Sequence, residues 1–257
     1  MIRVEFAETA LDCMTQEATL SVYFNGDLAG RSQGTSADLI DFGIGYLLSQ
    51  GYLDSRAGIT GLECDEAQGA VWVEGDPQAM PAPPGWRTTS ASGEAIETSF
   101  PRRLASDAVF AADSLAYQME AMTAASPKRG FGQCVHCCAL GSADGAVLFL
   151  REDVGRHNAV DKVIGHAWLE GIPLCDKVLL ITGRISTEMA FKAYQAGVPG
   201  LVSLKSATAE AVRLADDAGL TLVSHCRDGA LRVLTHGRRI LTTPPVGNSA
   251  AALQPRG

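Results

Sequence analysis

The sequence lacks several features that would assign it at once to a large class of proteins. No apolar run approaches the roughly 20 residues that a membrane span requires, so we expect no transmembrane helix. The 21 Lys and Arg residues are outnumbered by 29 Asp and Glu, and a net charge of -8 argues against a general nucleic-acid coat. Met1 to Thr9 lack the basic-then-apolar pattern of a signal peptide, so we expect a cytoplasmic protein.

Common signatures of nucleotide and zinc sites are absent as well. The chain contains neither the G-x-x-x-x-G-K-[ST] phosphate loop nor G-x-G-x-x-G. It also lacks the H-x-E and P-C-x-x-C pair of the zinc deaminases, so a zinc hydrolase of that kind is not expected.

The seven cysteines fall into two groups. Because the chain shows no export signal, we expect no structural disulfides. The scattered members are predicted to be small buried hydrophobic residues; they are Cys13, Cys64, Cys175 and Cys226. Cys134, Cys137 and Cys138 form the second group, in which three thiols lie within five residues.

The N-terminal half predicts a mixture of strands and helices. Residues 19–25 alternate like a strand and end at the hairpin signal Asn25-Gly26. Ser36 is predicted to cap a helix that reaches Gln50, in which Gly43 and Gly45 indicate close packing against another element. The remaining elements are predicted from local composition. They are a strand at 71–74, a mobile Pro/Gly/Ser-rich loop at 75–101, and a helix from the cap Ser106 to Ala125.

The C-terminal half alternates strands and helices. Residues 145–150 predict a strand, and Asn158 is predicted to cap a helix reaching Glu170 whose solvent face carries Asp161, Lys162, His166 and Glu170. Further strands are predicted at 178–181, 200–204, 220–224 and 231–234, and helices at 186–196 and 206–218. This order predicts an α/β domain with a largely parallel sheet. We expect an α+β region at 1–104, the α/β domain at 105–241 and a disordered tail at 242–257.

Ligands of such sheets bind beyond the carboxyl ends of the strands. Three segments are predicted to lie there, at 182–186, 205–208 and 225–229. Helix N-termini bind anions, and Arg184 and Lys205 would add charge while Ser186 and Thr208 would add hydroxyl donors. The alternative is that Ser186 and Ser206 only cap helices and that the basic side chains are only solvated.

The densest polar cluster is Arg151-Glu152-Asp153-Val154-Gly155-Arg156-His157-Asn158. It joins a predicted strand to a predicted helix, so it also lies at a carboxyl end. One interpretation is a network of internal ion pairs that fixes the loop. The other is that Arg156 or His157 faces an anionic or heterocyclic ligand.

Several blocks of the chain resemble the formate dehydrogenase accessory protein family (FdhD type). The most specific is the twelve-residue stretch from Arg151 to Lys162, and the next is Gly183-Arg184-Ile185-Ser186 with Glu188 and Lys192. Other similar stretches lie at 22–26, 42–51 and 215–223, so that the resemblance covers most of Leu20 to Ile240.

The resemblance implies a cytidine-deaminase-like α/β core and a cargo, bis-molybdopterin guanine dinucleotide with molybdenum or tungsten. Its binding residues would include the stretch His225, Cys226, Arg227, Asp228, Gly229 and Ala230, together with Gly183, Arg184, Ser186 and Lys205. The implied activity is sulfur transfer from a cysteine desulfurase, through a cysteine persulfide, to the cofactor of formate dehydrogenase. The implied partners are therefore the desulfurase and the formate dehydrogenase catalytic subunit, and a homodimer stays open.

The chain departs from the family at its cysteines. Members carry a reactive Cys-x-x-Cys in a loop well before the Val-His pair that corresponds to Val135-His136. The corresponding loop here, residues 90–94, contains no cysteine, and none occurs between Cys64 and Cys134. Three interpretations of the later cluster stay open. Sulfur chemistry could use Cys134 and Cys137 with His136 favouring the thiolate, the thiols could bind a metal, or they could pack where relatives have smaller residues. The function is therefore either a sulfurtransferase or a cofactor chaperone that moves no sulfur.

Overall fold

The structure is a computed structural model that describes residues 14–53, 58–75, 103–126 and 134–242. The predicted mobile loop, apart from Gly75, and the predicted tail, apart from Thr242, lie outside these residues, as does Cys13.

A four-stranded sheet forms the first part of the described chain. Its strands are β1 (Ala18–Phe24), β2 (Asp27–Gly34), β3 (Ile59–Asp65) and β4 (Ala70–Gly75), in the order β2-β1-β4-β3. Asn25 and Gly26 have φ angles of 49° and 84°, which confirms the predicted hairpin turn between β1 and β2.

Helix α1 (Leu39–Ser49) covers this sheet, and its start differs from the prediction. The N-cap residue is Asp38, with a φ of 55°, and not Ser36. The close packing predicted for the helix glycines is confirmed. A Cβ on Gly45 would lie 1.8 Å from the Asp161 carbonyl oxygen, and one on Gly43 would lie 2.7 Å from Val71 Cγ1. Gly45 therefore allows α1 to approach the backbone of a second helix.

A six-stranded sheet forms the second part. Its strands are β6 (His136–Ser142), β7 (Val147–Asp153), β8 (Lys177–Ile181), β9 (Gly200–Ser203), β10 (Thr221–Arg227) and β11 (Ala230–Val233). The order is β11-β10-β9-β8-β6-β7, which confirms the α/β class. The pairs β8-β9 and β9-β10 are parallel, whereas the flanking pairs are antiparallel. A short parallel pair, β5 (Phe110–Ala111) and β12 (Ile240–Leu241), lies apart from it.

Helices cover both faces of the second sheet. Helix α2 (Ala112–Ala125) packs on one face, and α3 (Arg156–Leu169), α4 (Thr187–Gln195) and α5 (Ala209–Ala218) pack on the other. Two predicted helix starts are wrong. Ser106 lies before α2, where its hydroxyl donates to the Cys175 carbonyl, and α3 begins two residues before Asn158 with Gly155 as its N-cap.

The predicted solvent face of α3 is also wrong at two positions. Asp161 is 1% exposed and Lys162 is fully buried. Each forms an ion pair with a side chain of another secondary-structure element, which offsets the cost of burying its charge. Lys162 pairs with Asp153, and Asp161 pairs with Lys192 of α4.

Candidate functional site

Three loops meet at the edge of the second sheet where β8, β9 and β10 end. The Ile185 amide donates to the Ser206 carbonyl at 3.0 Å, and the His225 amide donates to the Lys205 carbonyl at 3.2 Å. The Ser203 hydroxyl donates to the Gly183 carbonyl at 2.6 Å. The three segments that were predicted to lie at one edge of the sheet are therefore neighbours, as expected for loops that follow parallel strands.

A cavity of about 470 Å³ opens on the α2 side of this edge. It brings together four predicted site residues with side chains of α2, whose contribution was not predicted. The lining residues are Lys205, Cys226, Arg227 and Asp228 from the loops, Leu204 beside them, and Met119, Glu120, Thr123 and Ala124 from α2. Met119 and Thr123 are four positions apart, so the periodicity of α2 was the available signal.

The turn at Arg227 to Ala230 shapes the outer wall of this cavity. Asp228 and Gly229 have φ angles of 54° and 70°, and Asp228, Gly229 and Ala230 are exposed. His225 has a φ of 52°, at an irregular register between β10 and β11. Burial, together with the charge of Glu120, raises the pKa of the Cys226 thiol to about 11. Cys226 is therefore a protonated, buried wall residue at neutral pH.

The other predicted cofactor residues do not line this cavity. Gly183 is buried, and a Cβ there would lie 3.1 Å from Arg156 Cβ. Arg184 is exposed, and Ser186 Oγ lies 3.4 Å from His157 Nε2. Gly183 and Ser186 thus belong to the α3 side of the sheet edge.

The predicted helix caps at this edge are partly wrong. Ser186 is the N-cap residue of α4, but its side chain makes no capping hydrogen bond. Ser206 caps no helix, because α5 begins after Thr208, whose hydroxyl accepts from the Ala211 amide at 3.2 Å. The hydroxyl of Ser186 is therefore not engaged in capping the helix that it precedes.

Part of the polar cluster from Arg151 to Asn158 forms an internal network, and the other part faces a cavity. Asp153 is fully buried and accepts from the backbone amides of Thr35 and Gly155, as well as from Lys162 Nζ at 2.7 Å. Asn158 is no helix cap, and its Nδ2 donates to the Gln33 carbonyl and to Asp153. This half of the cluster fixes the loop against β2.

Arg156 and His157, by contrast, line a second cavity of about 310 Å³ on the α3 side. His157 Nε2 lies 3.4 Å from both Ser186 Oγ and Glu188 Oε2. In a Ser-His-acid triad the two partners contact different ring nitrogens, so this group is not such a triad. Burial lowers the pKa of His157 to about 3, aided by the charges of Lys192, Arg156 and His136, so the imidazole is neutral at pH 7.

The thiol cluster is split by the alternation of β6. Cys134 is exposed and precedes the strand, whereas Cys137 is 1% exposed in the core under α2 and Cys138 is fully buried in the core under α3 and α4. Burial, with Cys137 and Asp161 nearby, raises the pKa of Cys138. Cys137 and Cys138 therefore occupy core positions, and Cys134 is the accessible thiol of the three.

The scattered cysteines agree only partly with their predicted burial. Cys226 is buried, as expected, but Cys64 and Cys175 are exposed. Within residues 14–53, 58–75, 103–126 and 134–242, no group of three His, Cys, Asp or Glu side chains is placed to hold a metal ion. In the same residues, no helix is long and apolar enough to cross a membrane.

Comparisons with known proteins agree with this architecture. The sequence profile of the FdhD/NarQ family matches residues 15–241. The chain is 32% identical to the sulfur carrier protein FdhD of Xanthomonas euvesicatoria pv. vesicatoria, over 94% of this chain and 90% of that protein. It is 49% identical to the Mycobacterium bovis protein of the same name over 107 residues, 41% of this chain and 39% of that one.

A solved structure shares the fold. The crystal structure from Desulfotalea psychrophila, assigned as a formate dehydrogenase accessory protein, superposes with a TM-score of 0.74 and 28% identity, covering 89% of this chain and 90% of that one. With the profile matched across both sheets and a relative of 32% identity aligned over nearly the whole length, the chain belongs to the FdhD/NarQ family.

Proposed function

We propose that this chain is a cytoplasmic accessory protein in the maturation of formate dehydrogenase. It binds bis-molybdopterin guanine dinucleotide, with molybdenum or tungsten, as a cargo, and it transfers sulfur to that cargo from a cysteine desulfurase. Its other partner is the formate dehydrogenase catalytic subunit. Family membership and the cavity between the three loops and α2 support this proposal.

The loop cavity has the chemistry that a guanine nucleotide requires. Lys205 and Arg227 supply the positive charge that a diphosphate needs, and the Asp228 carboxylate can accept two hydrogen bonds. Guanine presents two adjacent N–H donors to such a carboxylate, whereas adenine does not. We therefore assign the phosphates to Lys205 and Arg227, and the base to Asp228.

Calorimetric titration with GDP and ADP tests the assignment. GDP is expected to bind more tightly than ADP, and Lys205→Ala should weaken GDP binding by about 1–3 kcal/mol through the loss of a charge-assisted contact. Asp228→Asn should reduce the preference for GDP over ADP. Arg213→Ala is the control, because Arg213 is an exposed residue of α5 that does not line the loop cavity. Equal binding of GDP and ADP would contradict the proposal.

The sulfur carrier in this proposal is Cys134. Its thiolate attacks the outer sulfur of the desulfurase persulfide, the sulfur-sulfur bond there breaks, and the desulfurase leaves as a thiolate while Cys134 holds the persulfide. Exposure supports the choice, since Cys137, its partner in the Cys-x-x-Cys spacing, is buried in β6. For the Cys137 thiol to attack the persulfide on Cys134, the start of β6 would have to open.

A cofactor chaperone that moves no sulfur is the second candidate. The core positions of Cys137 and Cys138 favour it, because they match the interpretation that these thiols only pack. Mass spectrometry after incubation with a cysteine desulfurase and cysteine separates the two. Sulfur transfer predicts one added sulfur on the peptide with Cys134, lost in Cys134→Ala and retained in the control Cys175→Ala. An unmodified wild-type protein would favour the chaperone.

A further inference from the structure

The second cavity, on the α3 side of the sheet edge, is separate from the loop cavity. It has a volume of about 310 Å³ and lies between β2, the start of α3 and α4. No residue lines both cavities. Its walls include Arg31, Tyr46, His136, Arg156, His157 and Glu188. A space of this size is within the range of small-molecule sites in proteins.

The basic side chains that line this cavity differ in whether a described residue pairs with them. Lys192 also borders the cavity, but it is held by both oxygens of Asp161 at 2.8 Å. Arg156 has no ion pair or side-chain hydrogen bond to any described residue, and its Nε is buried without an acceptor. Buried polar groups are nearly always satisfied, so the Arg156 Nε calls for an acceptor that is not among the described residues.

The start of α3 adds to the positive potential of this cavity. The helix has 14 residues, its N-cap Gly155 makes no side-chain cap, and its first turn contains no acidic residue. The amides at a helix start lack acceptors within the helix and carry a partial positive charge. Arg156 occupies this first turn, where a cation is electrostatically unfavourable unless an anion binds nearby.

The remaining groups determine what kind of anion fits. His157 is neutral and can donate one hydrogen bond, and Ser186 has a hydroxyl beside it. The Glu188 carboxylate faces His157, and burial raises its pKa. Tyr46 also lines the cavity. The cavity therefore combines a guanidinium fork and neutral donors with room for more than a free ion.

We propose that this cavity is a second ligand site, which binds the phosphate group of a small phosphorylated molecule through Arg156 and the start of α3. The guanidinium fork meets two phosphate oxygens, the α3 amides meet a third, and the organic part lies against Tyr46. This site is independent of the proposed guanine nucleotide site in the loop cavity.

Titration with ribose 5-phosphate and with inorganic phosphate tests the site. Calorimetry measures affinity, and the imidazole resonances of His136 and His157, identified with His→Gln variants, report binding in this cavity by NMR. Both resonances should shift, and the ester should bind more tightly than the free ion. Unshifted resonances, or an ester that binds no better than phosphate, would overturn the proposal.

Variants of Arg156 separate ligand binding from folding. Arg156→Gln should weaken ribose 5-phosphate binding at least about tenfold, the loss of a charge-assisted contact, and Arg156→Lys should weaken it less. Because Arg156 lacks a partner among the described residues, neither variant should lower the melting temperature of the unliganded protein. The ligand should raise the melting temperature of the wild type and of the control Arg213→Gln, but not of Arg156→Gln.

A structural role for Arg156 predicts the opposite pattern. In that case Arg156→Gln would lower the melting temperature without ligand and leave affinity unchanged in the folded fraction, which would overturn the proposal. Lys205→Gln distinguishes the two sites, because it should weaken GDP binding and leave the ribose 5-phosphate titration at His157 unchanged. Failure of GDP binding alone would leave this site standing.

Discussion

The buried ion pair between Lys162 and Asp153 supports the loop on which the α3 cavity is built. Lys162 Nζ lies 2.7 Å from Asp153 Oδ2, and it also donates to the Thr35 carbonyl at 3.0 Å and to the Thr35 hydroxyl at 2.9 Å. Both charged side chains are 0% exposed. The pair therefore ties β2, the end of β7 and α3 together.

We expect Lys162→Met to lower the free energy of unfolding by about 3–5 kcal/mol, the usual cost of leaving one buried charge without its partner. Methionine keeps most of the apolar stem of lysine, so the loss measures the charge and its hydrogen bonds. Asp153 would still accept from Thr35, Gly155 and Asn158, which places the expected value toward the lower end. Since a typical domain is stable by only about 5–15 kcal/mol, the change is readily measured.

Urea denaturation followed by circular dichroism is the assay, with the m-value as the test of two-state unfolding. The double variant Lys162→Met with Asp153→Asn should recover part of the loss, because it removes the stranded charge. Arg213→Met is the control, since its pair with Glu210 is exposed, with side-chain exposures of 73% and 67%, and should give no measurable change. A loss below about 1 kcal/mol in Lys162→Met would refute the reasoning.

Three further predictions follow from the packing and the titration of this region. Gly45→Ala should destabilise the protein by about 1–3 kcal/mol or more in urea denaturation, because its Cβ would lie 1.8 Å from the Asp161 carbonyl; an unchanged midpoint would exclude the close helix contact. Because the pKa of His157 is lowered from 6.5 to about 3, the unfolded chain binds the proton first, and stability should fall as the pH drops below about 6.5. His157→Gln should flatten that slope, which reaches at most about 1.4 kcal/mol per pH unit; equal slopes in both proteins would contradict a buried neutral imidazole. Iodoacetamide should alkylate Cys134 in the native protein and spare Cys226, and equal labelling of both, read by peptide mass spectrometry, would contradict their different burial.

Local pattern was sufficient for much of the fold. The Asn25-Gly26 turn and the alternation of strands and helices after residue 177 were predicted because turn chemistry and hydrophobic periodicity act over a few residues. The close packing at Gly45 was predicted for the same reason, since a glycine inside a helix is costly unless something approaches it. The sequence also placed the three loops at one edge of the sheet, because parallel strands bring their carboxyl ends together.

Tertiary contacts decided which charges are buried. Asp161 and Lys162 look like solvent-facing residues in a single helix, yet Asp161 pairs with Lys192 of α4 and Lys162 pairs with Asp153, nine residues earlier at the end of β7. Likewise, Asn158 looks like a helix cap but bridges Asp153 and the Gln33 carbonyl. These pairs form only when α3 packs against β7, β2 and α4, so periodicity within α3 assigns the residues to the wrong environment.

The division of the predicted ligand residues also required the tertiary structure. Lys205 and Asp228 share one cavity with α2, whereas Ser186 lies by His157 on the α3 side. Chain order determined that these loops meet at one sheet edge, but the face of the sheet that each side chain occupies depends on helices packed from elsewhere. The exposure of Cys134 and the burial of Cys137 have the same origin, because strand alternation turns Cys137 toward a core that α2 completes.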